Sequence, residues 1–348
     1  MTGWLLDLPK VELHCHLEGS MSSATVKALA ARHGPDWSWV WPGDIPEHFS
    51  FVDFPDFGRQ YLFGLSLLRN EEDLATVTDD LAATLAEQNV RYAELTTTAF
   101  SHLAGAMPPE VYRDGLDEGR RRAAARGVEL GWVIDIPRDL EMPGDTTTIE
   151  YLESGCTPEG LVGIGLGGYE VGFPAAPYTE HFERAISLGL HSVPHAGETE
   201  GADSVRQAVE DLRAERIGHG VRVLEDPELT ARVADAGILC EVCPTSNFLL
   251  GVVDELDDHP LPRMIEAGLT VSINTDDPGW FDTDLITELE IASDLSVDHD
   301  AHLGMQRAAL AGSFAAPAVR RAIAEELDAY SARIPDEFLL SGRLPLCF

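Results

Sequence analysis

Lysine is nearly absent from this chain: among 348 residues only Lys10 and Lys27 are lysines, and Lys plus Arg number 24 against 60 Asp plus Glu. The resulting formal net charge of -36 at pH 7 excludes the broad basic patches through which proteins grip nucleic-acid phosphate or anionic membrane by releasing counterions. No nucleic-acid or membrane partner is therefore expected. Long apolar runs are also missing. No stretch reaches the ~20 residues that cross a bilayer, and residues 1–10 lack the basic start and apolar stretch of a secretion signal. Cysteine is sparse: Cys15, Cys156, Cys240, Cys243 and Cys347 are odd in number and scattered, which suits reduced thiols rather than a disulfide framework. Together these absences point to a cytoplasmic protein.

What is present is core material. Hydrophobic residues make up 44% of the chain and include six tryptophans, enough to fold without a partner. Short apolar or β-branched runs ending in Gly, Pro, Asn or Asp alternate with segments of helical spacing, the pattern of parallel strands joined by crossover helices. Eight strands are expected at residues 11–17, 90–95, 128–136, 161–166, 190–194, 216–218, 239–242 and 269–274. Helices are expected at 73–88, 109–126, 178–188, 202–214, 227–236 and 260–267, with two or three more closing the chain within 303–332. No repeat or linker divides the chain. The reading is an α/β protein, a single (β/α)8 TIM-type barrel domain over residues 1–348, with a helical insertion at 20–72 after the first strand. Such an insertion emerges at the C-terminal face of a barrel, where active sites form. Its Phe49, Phe51, Phe54, Phe57, Tyr61 and Phe63 suit a lid over a flat ring, although ordinary packing would occupy most of them.

The chemistry sits at the strand ends. His14-Cys15-His16 lies on the first strand, where residues two apart share a face, so both imidazoles can meet one ion while Cys15 turns away. The fifth strand ends in His195-Ala-Gly-Glu198, the sixth in Gly218-His-Gly220, and the eighth in Asn274-Thr-Asp-Asp-Pro278. Ionisable residues gathered beside glycines are costly to bury as ordinary core, and a barrel brings these strand ends to one place. Cys240-Glu-Val-Cys243 superficially resembles the paired-cysteine signature of cytidine-type deaminases. Leu239 stands where that signature has proline, and strand residues three apart face opposite sides, so both cysteines are expected to be packing residues.

The strings Pro9-Lys-Val-Glu-Leu-His-Cys-His-Leu-Glu-Gly-Ser20, His195-Ala-Gly-Glu198, Gly218-His-Gly220, Cys243-Pro-Thr-Ser-Asn247 and Thr275-Asp-Asp-Pro278 occur in this order. Together they resemble the adenosine and adenine deaminase family of the amidohydrolase superfamily. The resemblance implies hydrolysis of a 6-aminopurine to the 6-oxopurine and ammonia, with one zinc ion held by His14, His16, His195 and Asp276. Zinc lowers the pKa of a bound water to about 7. Glu198 matches the family's proton donor to the ring nitrogen. His219 matches the residue that orients the water and takes its proton. Asp277 matches the carboxylate on the five-membered side of the purine, and Gly168 a backbone donor to the ring. Dinuclear relatives bridge two metals with a lysine on the fourth strand. Residues 161–166 contain none, which implies a single ion.

The substrate beyond the base is read from two positions. Glu18 stands where nucleoside deaminases of the family commonly carry Asp, and its extra methylene would shorten the room next to His16 beyond the base. Gly168, within Gly165-Leu-Gly-Gly-Tyr-Glu170, resembles the nucleoside branch instead. Residues 163–174 are similar to actinobacterial adenosine or aminodeoxyfutalosine deaminases, the latter acting on a 5′-extended adenosine. Adenosine or a 5′-modified adenosine is the first expectation and adenine the second. A non-catalytic purine-binding homologue is the alternative of another class.

Overall fold

The computed structural model describes residues 3–333. Its eight strands are β1 Lys10–His16, β2 Val90–Thr97, β3 Glu129–Pro137, β4 Leu161–Gly167, β5 His191–Ala196, β6 Arg216–His219, β7 Leu239–Val242 and β8 Thr270–Ile273. They lie in sequence order and every neighbouring pair is parallel. Each falls within two residues of its expected bounds. The seam between last and first strand is closed by a parallel bridge from Cys15 to Asp276. There the His16 N–H donates to the Asp276 carbonyl at 2.7 Å and the Asp276 N–H to the His14 carbonyl at 2.9 Å. The expected (β/α)8 barrel is formed, and its closing hydrogen bonds run through three site residues.

Most crossover helices occupy their expected places, among them Glu71–Glu87, Pro109–Ala125 and Pro227–Ala236. The helix after β3, Thr147–Glu153, is not legible in the sequence because it is short and opens on β-branched threonines, which favour helix weakly. The chain closes with Leu285–Asp294, His299–Gly312 and Pro317–Ser331. The insertion after β1 contains the helices Ser23–His33 and Phe54–Leu65. It is tied to the barrel mouth by Phe49, whose ring centre lies 4.1 Å from that of Trp280.

The barrel interior is layered. At the strand starts Val11, Leu13, Tyr92 and Leu239 pack with Ala309, Leu310 and Ala315 from the closing segment. Above this apolar plug lies a buried ionic layer. Arg216 on β6 reaches Glu94 on β2 and Glu241 on β7, each at 2.5 Å, and the Phe314 ring covers its guanidinium at 4.1 Å. Two buried carboxylates sharing one cation leave a strong penalty if that cation is removed. Arg216→Ala is therefore expected to destabilise the fold by about 3–5 kcal/mol. Urea unfolding of the purified protein reads this directly, and a loss below about 1 kcal/mol would show that the layer is not a structural support.

Candidate active site

The strand ends above the ionic layer bring four ligand atoms together. His14 and His16 come from β1, His195 from β5 and Asp276 from the turn after β8. His14 Nε2 and His16 Nε2 each lie 3.3 Å from Asp276 Oδ1, and His16 Nε2 lies 3.1 Å from His195 Nε2. All four residues are buried, and their ligand atoms lie within 4.8 Å of one another. His14 Nε2 has no hydrogen-bond partner, and burial beside His14, His16 and His219 drives the His195 imidazole well below its usual pKa, leaving it a bare base. Imidazole nitrogens turned on one another with a carboxylate among them make a donor set suited to a cation held between them. The residues fit a single metal ion. Neither lysine approaches it: Lys10 binds the Leu8 and Gln88 carbonyls, and Lys27 pairs with Glu47.

Outer contacts aim the ligands. Glu241 Oε2 takes the His14 Nδ1 proton at 2.9 Å while Oε1 is held by Arg216, so His14 presents Nε2 to the ion, the arrangement that fixes tautomer and raises ligand basicity. A Cβ at Gly218 would stand 2.7 Å from His14 Cε1. That position is glycine because the imidazole needs the space. Asp276 and His219 have φ of 62° and 61°, left-handed values that non-glycine residues hold only where the surroundings compel them.

Glu198 follows β5 in a loop pinned by Glu170, whose carboxylate accepts from the N–H groups of Gly197, Glu198 and Thr199 at 3.0, 2.8 and 2.9 Å and from the Ser204 hydroxyl. Burial, reinforced by the negative charges of Asp276 and Glu170, pushes the Glu198 carboxyl well above its ordinary range. The same forces, burial and then Asp276, act on Asp277, whose Oδ1 has no protein partner. A Cβ at Gly19 would collide with that oxygen at 1.6 Å.

His219 has its protonation written by a chain of hydrogen bonds. The Leu261 N–H donates to His259 Nδ1 at 3.1 Å, His259 Nε2 then donates to Asn247 Oδ1 at 3.1 Å, and the Asn247 amide donates to His219 Nδ1 at 3.2 Å. Burial pushes the pKa of His219 down to about 3 and that of His259 to about 4, so both rings are neutral. The lone pair of His219 is then spent at Nδ1. Its Nε2 carries the hydrogen and lies 3.7 Å from Glu198 and 3.9 Å from Asp276.

These groups form the floor of a cavity whose roof is Phe54, Phe57, Tyr61, Leu62 and Leu65 from the insertion. Three of the six aromatic residues singled out in the sequence face it, while Phe49, Phe51 and Phe63 pack elsewhere. Gly168 lies on the wall with φ of 82°. Glu18 does not line the cavity. It is fully buried, and its Oε1 accepts from Thr97, the Thr98 N–H and His102 at 2.7, 3.2 and 2.8 Å. Thr97 on β2 and Thr98 and His102 just beyond it hold this one oxygen, while Oε2 has no partner. Cys240 packs beneath Gly220, but the Cys243 sulfur stands within 4.8 Å of ligand atoms of His219 and Asp276. It packs, fully buried, beside the cluster. Cys347 lies outside the described residues.

A parallel eight-stranded barrel with His-x-His on its first strand, His on its fifth and Asp after its eighth defines the metal-dependent amidohydrolase class of hydrolases. The particular branch follows from comparison with known proteins. Residues 9–330 match the family model described as adenosine deaminase, and the chain belongs to the adenosine deaminase family. It is 42% identical over 332 residues to the aminodeoxyfutalosine deaminase of Streptomyces avermitilis, covering 94% of this chain and 93% of that one. It is 35% identical over 308 residues to an adenine deaminase of Mesorhizobium japonicum, covering 88% and 94%. Its fold superposes on a crystal structure of adenine deaminase from Arthrobacter aurescens with a TM-score of 0.86 at 29% identity, covering 93% and 99%.

Asp135, Glu170, Glu241, Asn247 and His259 show no role in the sequence alone, since each acts through a partner distant in the chain. An acid inside an otherwise apolar strand, as at Asp135, is the one signal that stood in plain view. If Glu241 aims His14, Glu241→Gln should fold normally and hold its metal about 10–100-fold more weakly. Competition with a coloured chelator measures this, and an unchanged affinity would refute that role.

Proposed function

We propose that this enzyme hydrolyses the 6-amino group of a purine nucleoside, adenosine or a 5′-modified adenosine of the aminodeoxyfutalosine kind, with one zinc ion held by His14, His16, His195 and Asp276. One observation carries the reading: two buried carboxyls driven toward their protonated forms, Glu198 and Asp277, flank that cluster beneath an aromatic roof. Such a site offers protons to ring nitrogens of a flat heterocycle. When bound, the zinc supplies an activated water near neutral pH.

The protein's own residues perform the rest. Glu198, protonated, gives its proton to the ring nitrogen beside the attacked carbon, where it remains in the 6-oxopurine. Asp277 holds the five-membered side of the ring, and the Gly168 backbone supports the base. The Nε2–H of His219 points toward Glu198 and Asp276 and orients the water as a hydrogen-bond donor. As the water oxygen bonds to the carbon, the carbon–nitrogen bond breaks. One water proton completes ammonia and the other restores Glu198.

The 5′-modified nucleoside is favoured by the shape of the cavity. A second hollow, lined by Leu68, Arg69, Phe100 and Met107, shares Leu62, Leu65, Ser101 and Leu140 with the first. The two hollows adjoin across these side chains, and a substituent longer than free adenine could reach toward the second. The named activity of the Streptomyces relative agrees with this reading, while the adenine deaminase relatives make free adenine the second.

The test is a series of adenosine, 5′-deoxyadenosine, methylthioadenosine, aminodeoxyfutalosine and adenine, followed by absorbance and ammonia release. A nucleoside should exceed adenine in kcat/KM at least ~10-fold, a difference of about 1.4 kcal/mol in transition-state binding. Adenine in first place would overturn the nucleoside assignment. No turnover by zinc-loaded protein would favour a purine-binding homologue. In the same assay Glu198→Gln should keep its zinc and lose about 10²–10⁴-fold in turnover. Wild-type turnover should fall as pH rises through the elevated pKa of Glu198, because the acid form is the active one. Retention of near-normal turnover by the Gln variant would remove Glu198 from the mechanism.

A further inference from the structure

β3 carries one carboxylate in its apolar stretch, Asp135, and that residue lines the cavity while only 3% exposed. Its Oδ1 accepts the Thr98 hydroxyl at 2.7 Å. Oδ2 makes no hydrogen bond, and no Lys or Arg pairs with the group, among the described residues. The neighbouring strand leaves room for it. A Cβ at Gly167 would stand 2.3 Å from Oδ2, and one at Gly165 would stand 3.1 Å from the Asp135 Cβ. A buried acceptor held open in this way is costly unless a ligand donor fills it.

Its place in the barrel says which part of a ligand that is. Glu198, His219 and Asp277 follow β5, β6 and β8, so the base belongs on that side. Asp135 stands across the mouth, between Thr98 after β2 and the end of β4, where Ser101 and Leu140 lead into the second hollow. The part of the substrate between the base and its 5′ extension passes this point. That part is the sugar, whose hydroxyls are donors.

Resting on the nucleoside reading above, we propose that Asp135 Oδ2 accepts a sugar hydroxyl and is a specificity-determining residue that selects nucleosides bearing that hydroxyl. An acceptor oxygen paired with a sugar hydroxyl inside a closed pocket discriminates sharply, because the analogue lacking the hydroxyl leaves that oxygen unpaired.

The experiment crosses Asp135→Ala and Asp135→Asn with adenosine and its 2′-, 3′- and 5′-deoxy analogues, using zinc-loaded full-length protein. Wild type should lose about 10–100-fold in kcat/KM with the one analogue lacking the contacted hydroxyl, chiefly through KM. Asp135→Ala should lose a similar factor on adenosine and show no further loss on that analogue, with zinc content unchanged. Asp135→Asn, nearly isosteric, should retain part of the discrimination. Should the alanine variant misfold, the asparagine variant and equilibrium binding of the same nucleosides carry the comparison. If no analogue is discriminated, or if both variants discriminate as wild type does, the Asp135 assignment is overturned while nucleoside deamination stands. If wild type turns over adenine and no nucleoside, the functional reading itself fails and takes this assignment with it.

Discussion

Three buried imidazoles and one carboxylate converge on a common point inside a closed barrel, a donor set that fits a metal cation. His14 Nε2 is without a partner, and His16 Nε2 and His195 Nε2 face each other at 3.1 Å. A cation at that point would be held by all four, and much of the surrounding structure fixes them in place. The barrel seam closes through His14, His16 and Asp276, so the ligands are fixed by the same backbone hydrogen bonds that complete the fold. Glycine at position 218 gives His14 its place. The left-handed backbone of His219 and Asp276 is strain of the kind that persists only when its surroundings over-determine it.

The same constraint organises charge. Arg216, buried between Glu94 and Glu241, keeps Glu241 ionised and aimed at His14, so the ionic layer under the site connects fold stability to metal binding. Above the ligands the balance is reversed. Glu198 and Asp277 stand close to Asp276 without a basic partner, and burial with like charge keeps them toward their protonated forms. A carboxylate driven toward its ionised form, Asp276, and carboxyls driven toward their protonated forms thus coexist within one cavity, separated by environment alone. The hydrogen-bond chain from the Leu261 backbone through His259 and Asn247 adds a fixed donor at His219.

Much of this was legible in the sequence. Parallel strands declare themselves through short apolar runs, and residues with metal-ligand chemistry at their ends declare where the barrel opens, so the members of the buried cluster, His14, His16, His195 and Asp276, stand out in the sequence. What was hidden depends on contacts between distant segments. Glu18 reads as a pocket residue until Thr97, Thr98 and His102 are seen to claim its carboxylate. His219 reads as a base until its Nδ1 is seen to accept from Asn247. Asp135 and Glu170 stand in segments whose neighbours in sequence give no hint of Gly167 or of the Glu198 loop. Local pattern carries strands and motifs, whereas the direction of a buried polar group is decided by whichever donors the fold brings to it.

The central claim is that one zinc ion at these four ligands makes the site a deaminase. Its most direct test is to strip the protein of metal and restore zinc in measured steps while following ammonia release from the best nucleoside substrate. Activity should be absent from the metal-free protein, rise in proportion to added zinc and level off at one equivalent per chain. Turnover without metal, or a plateau that requires a second equivalent, would contradict the account.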